Sequence, residues 1–264
     1  MRKQIAAIAV ASLLIFAGCS TGGDGGTTTA APETTTAPGD TTTETDDGPI
    51  YDSPLDAATV ADNHESAIRD AGTFTLESTS NQSQGDQSFS VTSSVAADVS
   101  TGEYFSEQNA SNRLVQTYGY GNGTAYQRLQ FSGETQYMIP QQSPNASQLA
   151  SGDLQSFVNA FEFEHAGTES VDGTTTDVYE ASGFESLNQS APGFGDLDEE
   201  NVTSIDARVY VAEDGLVKQF EYGLTVDTDQ GEASIAIEQR YVDVGSTTVE
   251  QPPWLDEARE NTSE

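Results

Sequence analysis

The chain is short of the residues that do most protein chemistry. It has one cysteine (Cys19) and two histidines (His64 and His165) in 264 residues. A lone cysteine permits no internal disulfide and no cysteine metal site. Two histidines leave little for a zinc centre or a histidine-based catalytic pair. Bases are scarce as well: nine against 43 acids, for a formal charge of −34. Nucleic acid and anionic lipid headgroups are poor partners for such a surface. No P-loop, dinucleotide fingerprint or His-Glu-x-x-His is present. With so many acids, a carboxylate pair suited to hydrolysis is always available and carries no weight. The expectation is a protein with no catalytic residues, no metal and no cofactor.

No apolar run is long enough to cross a bilayer either. Ile5 to Phe16 carries no charge and follows Arg2 and Lys3. Twelve helical residues reach roughly 18 Å, against ~30 Å of hydrocarbon. This is the form of a cleaved export signal. Ala17-Gly18-Cys19 at its end resembles a lipobox, with Phe16 in place of the usual Leu. The resemblance implies cleavage before Cys19 and lipid on its sulfur, so that the membrane is a partner through Cys19 and the protein sits on the extracellular face of the cell membrane. Gly18-Cys19-Ser20-Thr21-Gly22 also fits a Gly-x-Ser-x-Gly nucleophile pattern. That motif needs a strand before it and a helix after it, and neither is expected here.

Residues 1–18 therefore read as signal peptide and 19–54 as a stalk. Ser20 to Pro49 is rich in Thr, Pro, Gly and acids. It has no aromatic residue and no aliphatic side chain larger than Ala, so nothing offsets the entropy of ordering it. Removal of Arg2 and Lys3 leaves seven bases against the 43 acids. Such a chain repels itself at low ionic strength, and molar salt screens the repulsion. The depletion of lysine, with Lys3 and Lys218 the only two, resembles proteins of extremely halophilic archaea.

The domain is expected over 55–258, with a frayed tail at 259–264. Asp56 is a candidate N-cap. Val60, His64, Ala67, Ile68 and Ala71 share one helical face, and Gly72 is a natural stop. His64 is expected to be a packing residue. From Thr73 the period becomes two, the mark of strands. Asn81 to Gln87 reads as a polar turn, and Phe89 to Val99 as a long alternating strand. Gly121-Asn122-Gly123 reads as a hairpin between two strands and not as a phosphate loop, since no helix follows. A second helix is expected from Ser147 or Ser151 to Phe161, with Leu154, Phe157, Val158 and Phe161 on one face. More strands follow to Val244, and Pro252-Pro253-Trp254-Leu255 docks or drapes at the end. The fold class is mainly antiparallel β (α+β): a single curved half-open β-barrel of about ten strands, with one N-terminal and one inserted helix. Helices that half fill its concave face would leave an apolar groove.

In its order of elements the chain resembles the LolA, LolB and LppX/LprG superfamily of lipoprotein carriers and lipid-binding lipoproteins. Val171-Asp172-Gly173 through Tyr179, and Ala207 to Val211 followed by Asp214-Gly215-Leu216-Val217-Lys218, carry the local likeness. It is also similar to haloarchaeal cell-surface lipoproteins, through the lipobox, the Thr-rich stalk and Pro253-Trp254-Leu255-Asp256. The resemblance implies a half-open barrel, no catalytic residues, and an apolar or lipid ligand in a groove between sheet and helices. The alternative is a structural or interaction protein of the envelope whose core is closed by Phe157, Phe161 and their neighbours.

Seven of the ten asparagines lie in Asn-x-Ser/Thr: Asn81, Asn109, Asn122, Asn145, Asn188, Asn201 and Asn261. All fall in expected turns, breaks or the tail, so they are candidates for N-glycosylation. The acidic clusters Asp196–Glu200 and Asp227–Glu232 lack EF-hand spacing and read as solvated loops.

Overall fold

Alternation organises the chain from Thr73 onward, and turn chemistry folds it back on itself. The computed structural model describes residues 48–152, 154–192, 194, 195 and 197–262. After helix α1 (Ala57–Ala71) come β1 (Thr73–Gln84), β2 (Gln87–Asp98), β3 (Glu103–Ala110), β4 (Arg113–Tyr120), β5 (Ala125–Phe131) and β6 (Glu134–Met138). Two short helices follow, α2 (Ala146–Ser151) and α3 (Leu154–Asn159). Then come β7 (Glu164–Val171), β8 (Thr174–Ser182), β9 (Val202–Ala212), β10 (Val217–Thr228), β11 (Gly231–Val242) and α4 (Leu255–Asn261).

The strands form one open antiparallel sheet, ordered β6-β5-β4-β3-β2-β1-β11-β10-β9-β8-β7. It is two meanders joined where the first strand meets the last. The β1–β11 seam pairs Thr75–Gln84 with Ala233–Val242. The curved sheet with helices on its inner face is a half-open β-barrel, as expected. Hairpins fix the register. At Asp172-Gly173 both central residues have positive φ (50° and 78°), the twist a two-residue antiparallel turn requires. One glycine serves packing instead. Gly119 lies opposite Tyr104, and a Cβ there would sit 2.1 Å from the ring's Cε1.

Helix α1 starts at Asp56, whose Oδ1 accepts from the Thr59 backbone N–H at 2.8 Å, and ends at Gly72 (φ 81°). Val60, His64 and Ile68 form its buried stripe. His64 is wholly buried. Its Nε2 donates to the Ala150 carbonyl (3.1 Å) and its Nδ1 accepts from the Val217 N–H (3.2 Å), which defines one neutral tautomer. The ring meets Tyr241 edge-on at 4.4 Å. His64 thus ties α1 to α2 and β10, as a packing residue should.

Four features depart from expectation. The polar turn expected from Asn81 is strand through Gln84. The inserted helix is broken at Gly152 (φ 48°) into α2 and α3. The stalk's last residues are fixed: Ile50 and Tyr51 pack against the main core and bond to β8. Helix α4 covers residues 259–261, where a frayed tail was expected. Trp254 docks on the outer face, stacked on Tyr137 (6.4 Å, 29°), with Tyr118 and Phe105 beneath. The aromatic side chains that α4 covers come from the outer positions of β3 to β6, so alternation alone marks them as exposed.

Burial holds the His64 pKa down from 6.5 to about 4, against opposite pulls from the Ala150 carbonyl and Asp214. A base whose folded pKa is depressed stabilises the fold fully above about 6.5. That contribution is lost as pH falls towards 4, and is worth about 3 kcal/mol. Urea unfolding of the wild type and His64→Gln between pH 7 and 4 should show their stability gap narrowing by about that amount. A gap that stays constant with pH would rule out His64 as the source.

Candidate functional site

The sheet's two faces differ in chemistry. On β1, β2, β10 and β11 the register places Phe74, Leu76, Ser78, Ser80 and Gln82 on the same face as Val91, Ile237 and Tyr222, the face that carries the helices. No inner position on these four strands is acidic. The outer positions hold Glu77, Asp98, Glu221, Asp227, Glu232 and Glu238. Alternation with charge kept to one side is the pattern of a sheet with one dry face.

That inner face is covered at one end only. Along β2 it runs from buried Ala97 and Val95 through half-buried Ser93 and Val91 to Phe89, which is 45% exposed. Along β11 it runs from Tyr241 and Gln239, both buried, to half-buried Ile237 and Ile235. Helices α1, α2 and α3 account for the buried end. Towards the hairpins the cover persists on β10, where Val226 is buried and Leu224 packs against the core, and thins over β1, β2 and β11.

Register sorts the uncovered residues into cross-strand rows. One row is Val91, Ser80, Ile237 and Tyr222; the next is Phe89, Gln82, Ile235 and Leu224. Ser80, between Val91 and Ile237, is the smallest side chain of its row. Tyr222 and Leu224 pack against the aromatic core under α3, so floor and core are continuous. A second apolar patch pairs Val115 with Leu129 and adds Phe131, 52% exposed. It borders a depression of about 390 Å³ beside Arg113.

The groove expected between sheet and helices is a packed interior. Phe157 stacks on Phe220 (4.6 Å, 29°) and meets Phe161 and Phe163 at 5.5 and 5.8 Å. The open apolar surface lies beyond the helices, towards the hairpins. A larger depression of about 950 Å³ opens at the start of α1, but polar side chains including Asp56, Gln155, Asn159, Glu162 and Glu185 line it.

Beside that mouth, a strap leads the chain onto the sheet. Asp177 Oδ2 accepts from the Ile50 N–H (2.9 Å), and its Oδ1 lies 3.0 Å from His165 Nε2. The Tyr179 hydroxyl accepts from the Tyr51 N–H (2.8 Å) and donates to the Tyr51 carbonyl (3.2 Å). Ser53 Oγ accepts from the His165 N–H (2.9 Å). Burial pushes the Tyr179 hydroxyl up to about 12. Asp177, Tyr179 and Ser53 thereby tie the strap to β7 and β8.

Cys19 and Gly18–Gly22 lie outside the described residues, as do the stalk through residue 47 and Asp196. Of the sequon asparagines, six are exposed and Asn188 is half-buried. Asn81 and Asn109 lie in β1 and β3, on the outer face, and not in turns as expected. Asn122 sits in the β4–β5 turn. Asn145 caps α2, and Asn201 ends a short 3₁₀ turn. Asn261 is the last residue of α4. The Asn188 Nδ2 donates to the Asn159 carbonyl at 2.9 Å. Asp227–Glu232 forms the β10–β11 hairpin end. Among the described residues no group of three or more His, Cys, Asp or Glu is placed to hold a metal, and no helix is long and apolar enough to cross a membrane.

Fold and site together define a half-open β-barrel whose four central strands keep acids off a partly covered inner face. The chain belongs to the family of unknown function DUF7537, which it matches over residues 4–258. Among solved structures it is similar to LprF from Mycobacterium bovis: 15% identity over 76% of this chain and 99% of that one, with a TM-score of 0.42. It is similar also to the lipoprotein LppX from Mycobacterium tuberculosis, at 11% identity over 72% and 97%, with a TM-score of 0.34. A LolA superfamily protein from Nitrosomonas europaea matches at 12% identity over 75% and 96%, with a TM-score of 0.21. No curated protein matches the chain.

Replacing Tyr179 by Phe removes both strap bonds at that residue and leaves two backbone groups without partners, a cost of about 1–3 kcal/mol confined to the strap. Limited chymotrypsin digestion should then cut at Tyr51 well before the rest of the domain. Unchanged resistance at Tyr51 would show that the hydroxyl does not hold the strap.

Proposed function

We propose that this chain is a non-catalytic binding or carrier protein for a lipid or other apolar ligand, held on the extracellular face of the cell membrane through lipid on Cys19. The observation that carries the reading is the inner face itself. In a chain with 43 acids, four adjacent strands keep every acid off one face, and that face passes from buried to half-buried and, at Phe89, exposed apolar side chains. Apolar surface that stays open beside a packed core marks a contact surface. Phe89, Val91, Ile235, Ile237 and Leu224 would take an apolar chain, and Ser80 leaves it room. The Thr-rich sequence between Cys19 and the strap supports the reading, since its composition suits a tether. Strand sequons Asn81 and Asn109 face outward, so sugars there would leave the inner face clear.

A second reading, an envelope protein with a closed core and no ligand, is favoured by the packing of Phe157 on Phe220 under α3. The two separate on lipid extraction. Protein purified from its own membranes, extracted with solvent and measured by mass spectrometry should yield a stoichiometric apolar compound. Ile237→Asp should lose it at least about tenfold with little change in thermal midpoint, because Ile237 is only half-buried. Clean extracts from the wild type would favour the closed envelope protein. For the anchor, Cys19→Ser should be shed to the medium or kept with its signal uncut; a cleaved variant still bound to membranes would defeat the lipid attachment.

A further inference from the structure

We infer that the ligand of the inner face is an anionic amphiphile, its carboxylate or phosphate held by Arg113 and its apolar chain laid across the strands over Val91 and Ile237. The inference rests on the apolar-ligand reading and names what that site selects. Register carries the row of Ile237, Ser80 and Val91 onward through Ala110 on β3 to Arg113 on β4 and Phe131 on β5. Arg113 therefore stands on the inner face, four strand spacings of ~4.8 Å or about 19 Å across the sheet from Ile237. It is exposed and borders the depression of about 390 Å³ with Leu129 and Phe131. Charge is sorted along the way. From β10 through β11 and on from β1 to β5, no inner position is acidic. Among the arginines and the lysine of the described residues, Arg113 alone occupies an inner strand position. Arg128, Arg208 and Arg240 face outward, Arg69 and Arg259 belong to α1 and α4, and Lys218 sits at the register shift between β9 and β10. Arg69, Arg208, Arg240 and Arg259 are each ion-paired, and Arg128 donates to Gln116 Oε1 at 3.3 Å. In a chain with 43 acids, Arg113 has no ion pair or hydrogen bond among the described residues.

The chemistry of the head follows from the side chain. A guanidinium only donates, and its planar fork matches the two oxygens of a carboxylate or phosphate. A hydroxyl leaves the charge uncompensated, and a cationic head is repelled. The protein's acids make its surface as a whole a poor partner for anions, and the inner face is where an anionic head escapes them. Glu134, opposite Phe131, ends the row and borders the same depression. It lies two strand spacings from Arg113, about 10 Å. Molar salt, with a Debye length of ~3 Å, screens repulsion at that range far more than it weakens a direct contact with Arg113. The apolar chain behind the head then crosses Ala110 to half-buried Val91 and Ile237.

The test uses the purified chain in molar KCl at neutral pH with decanoate, decyl phosphate and 1-decanol as probes, titrated by calorimetry. In Arg113→Met the affinity for the anions should fall about tenfold, the loss of one charge-assisted contact, while 1-decanol binds as before. Arg113→Lys, which keeps the charge, should recover part of that loss. Whichever anion binds the wild type tighter identifies the head as carboxylate or phosphate. The thermal midpoint of Arg113→Met should be unchanged, because the side chain is exposed and holds no partner, so loss of the anions is not loss of fold. Anion affinities equal in the wild type and Arg113→Met would overturn the role of Arg113. So would a wild type that takes 1-decanol and neither anion, and both results would leave the apolar site standing. Failure of all three probes to bind the wild type would count against the apolar-ligand reading itself.

Discussion

The pairing of β1 with β11 is the constraint on which the rest depends. Each meander alone is a sheet with two free edges and an apolar face too wide for its own helices. Joined, the two halves present one continuous inner face, and α1, α2 and α3 span the join. The seam brings together segments more than 140 residues apart, so the chain closes a long loop before the contacts that stabilise it exist. The ten-residue ladder offsets that cost and also sets the parity of the whole sheet. A slip of one residue would turn Tyr241, Gln239 and Ile237 outward and bring Arg240 and Glu238 into the core. Leu76 opposite Tyr241, at the buried end of the seam, makes that slip expensive.

Cover and opening follow from how few residues cross the inner face. His64 is the pivot of the covered end. It holds α2 through the Ala150 carbonyl and β10 through the Val217 N–H, while Tyr241 reaches the same carbonyl from β11. That carbonyl accepts from both, so helix, inserted segment and seam are fixed at one point. No comparable crosslink among the described residues reaches the hairpin end. The aromatic plug of Phe157, Phe161 and Phe163 closes the side towards β8 to β10, and the strap over Asp177 and Tyr179 closes the far edge. The rows through Val91 and Phe89 are left outside both.

Much of this was legible because alternation is a strong signal. Helix α1, its cap at Asp56, its stop at Gly72 and the packing role of His64 follow from spacing alone. So do most of the strands, while the half-open barrel came from the resemblance in the order of elements. What was not legible depended on partners distant in sequence. Ser80, Asn81, Gln82 and Ser83 have nothing apolar to mark a strand; they are strand because Ala233–Ile237 lies opposite. The break at Gly152 reads as helix by period, and only a backbone at φ 48° shows the stop. Helix α4 has too short a sequence to declare itself, and its partners Tyr118, Tyr126 and Tyr137 look like ordinary outward strand aromatics until Trp254 covers them. The apolar groove was expected beneath the helices because they alone left space for one. Side-chain volume decides otherwise: four phenylalanines fill it, and the surface that stays open lies where the helices end.

Strand β11 crosses from the covered to the open part of the inner face. A solvated sheet normally places apolar side chains where water is excluded and polar ones where it is not. On the inner positions of β11 this order is inverted within five residues. Ile235 and Ile237 meet water, and Gln239 is sealed from it with its oxygen unpaired. Either departure alone would be a modest local cost. Together, on one strand and in line, they mark the boundary between the covered and the open part of the inner face. Local choices that disagree with stability tend to gather where a protein meets something else. Elsewhere the inner face follows the rule: the core under α3 is dense, and the seam is secured by Leu76 and Tyr241.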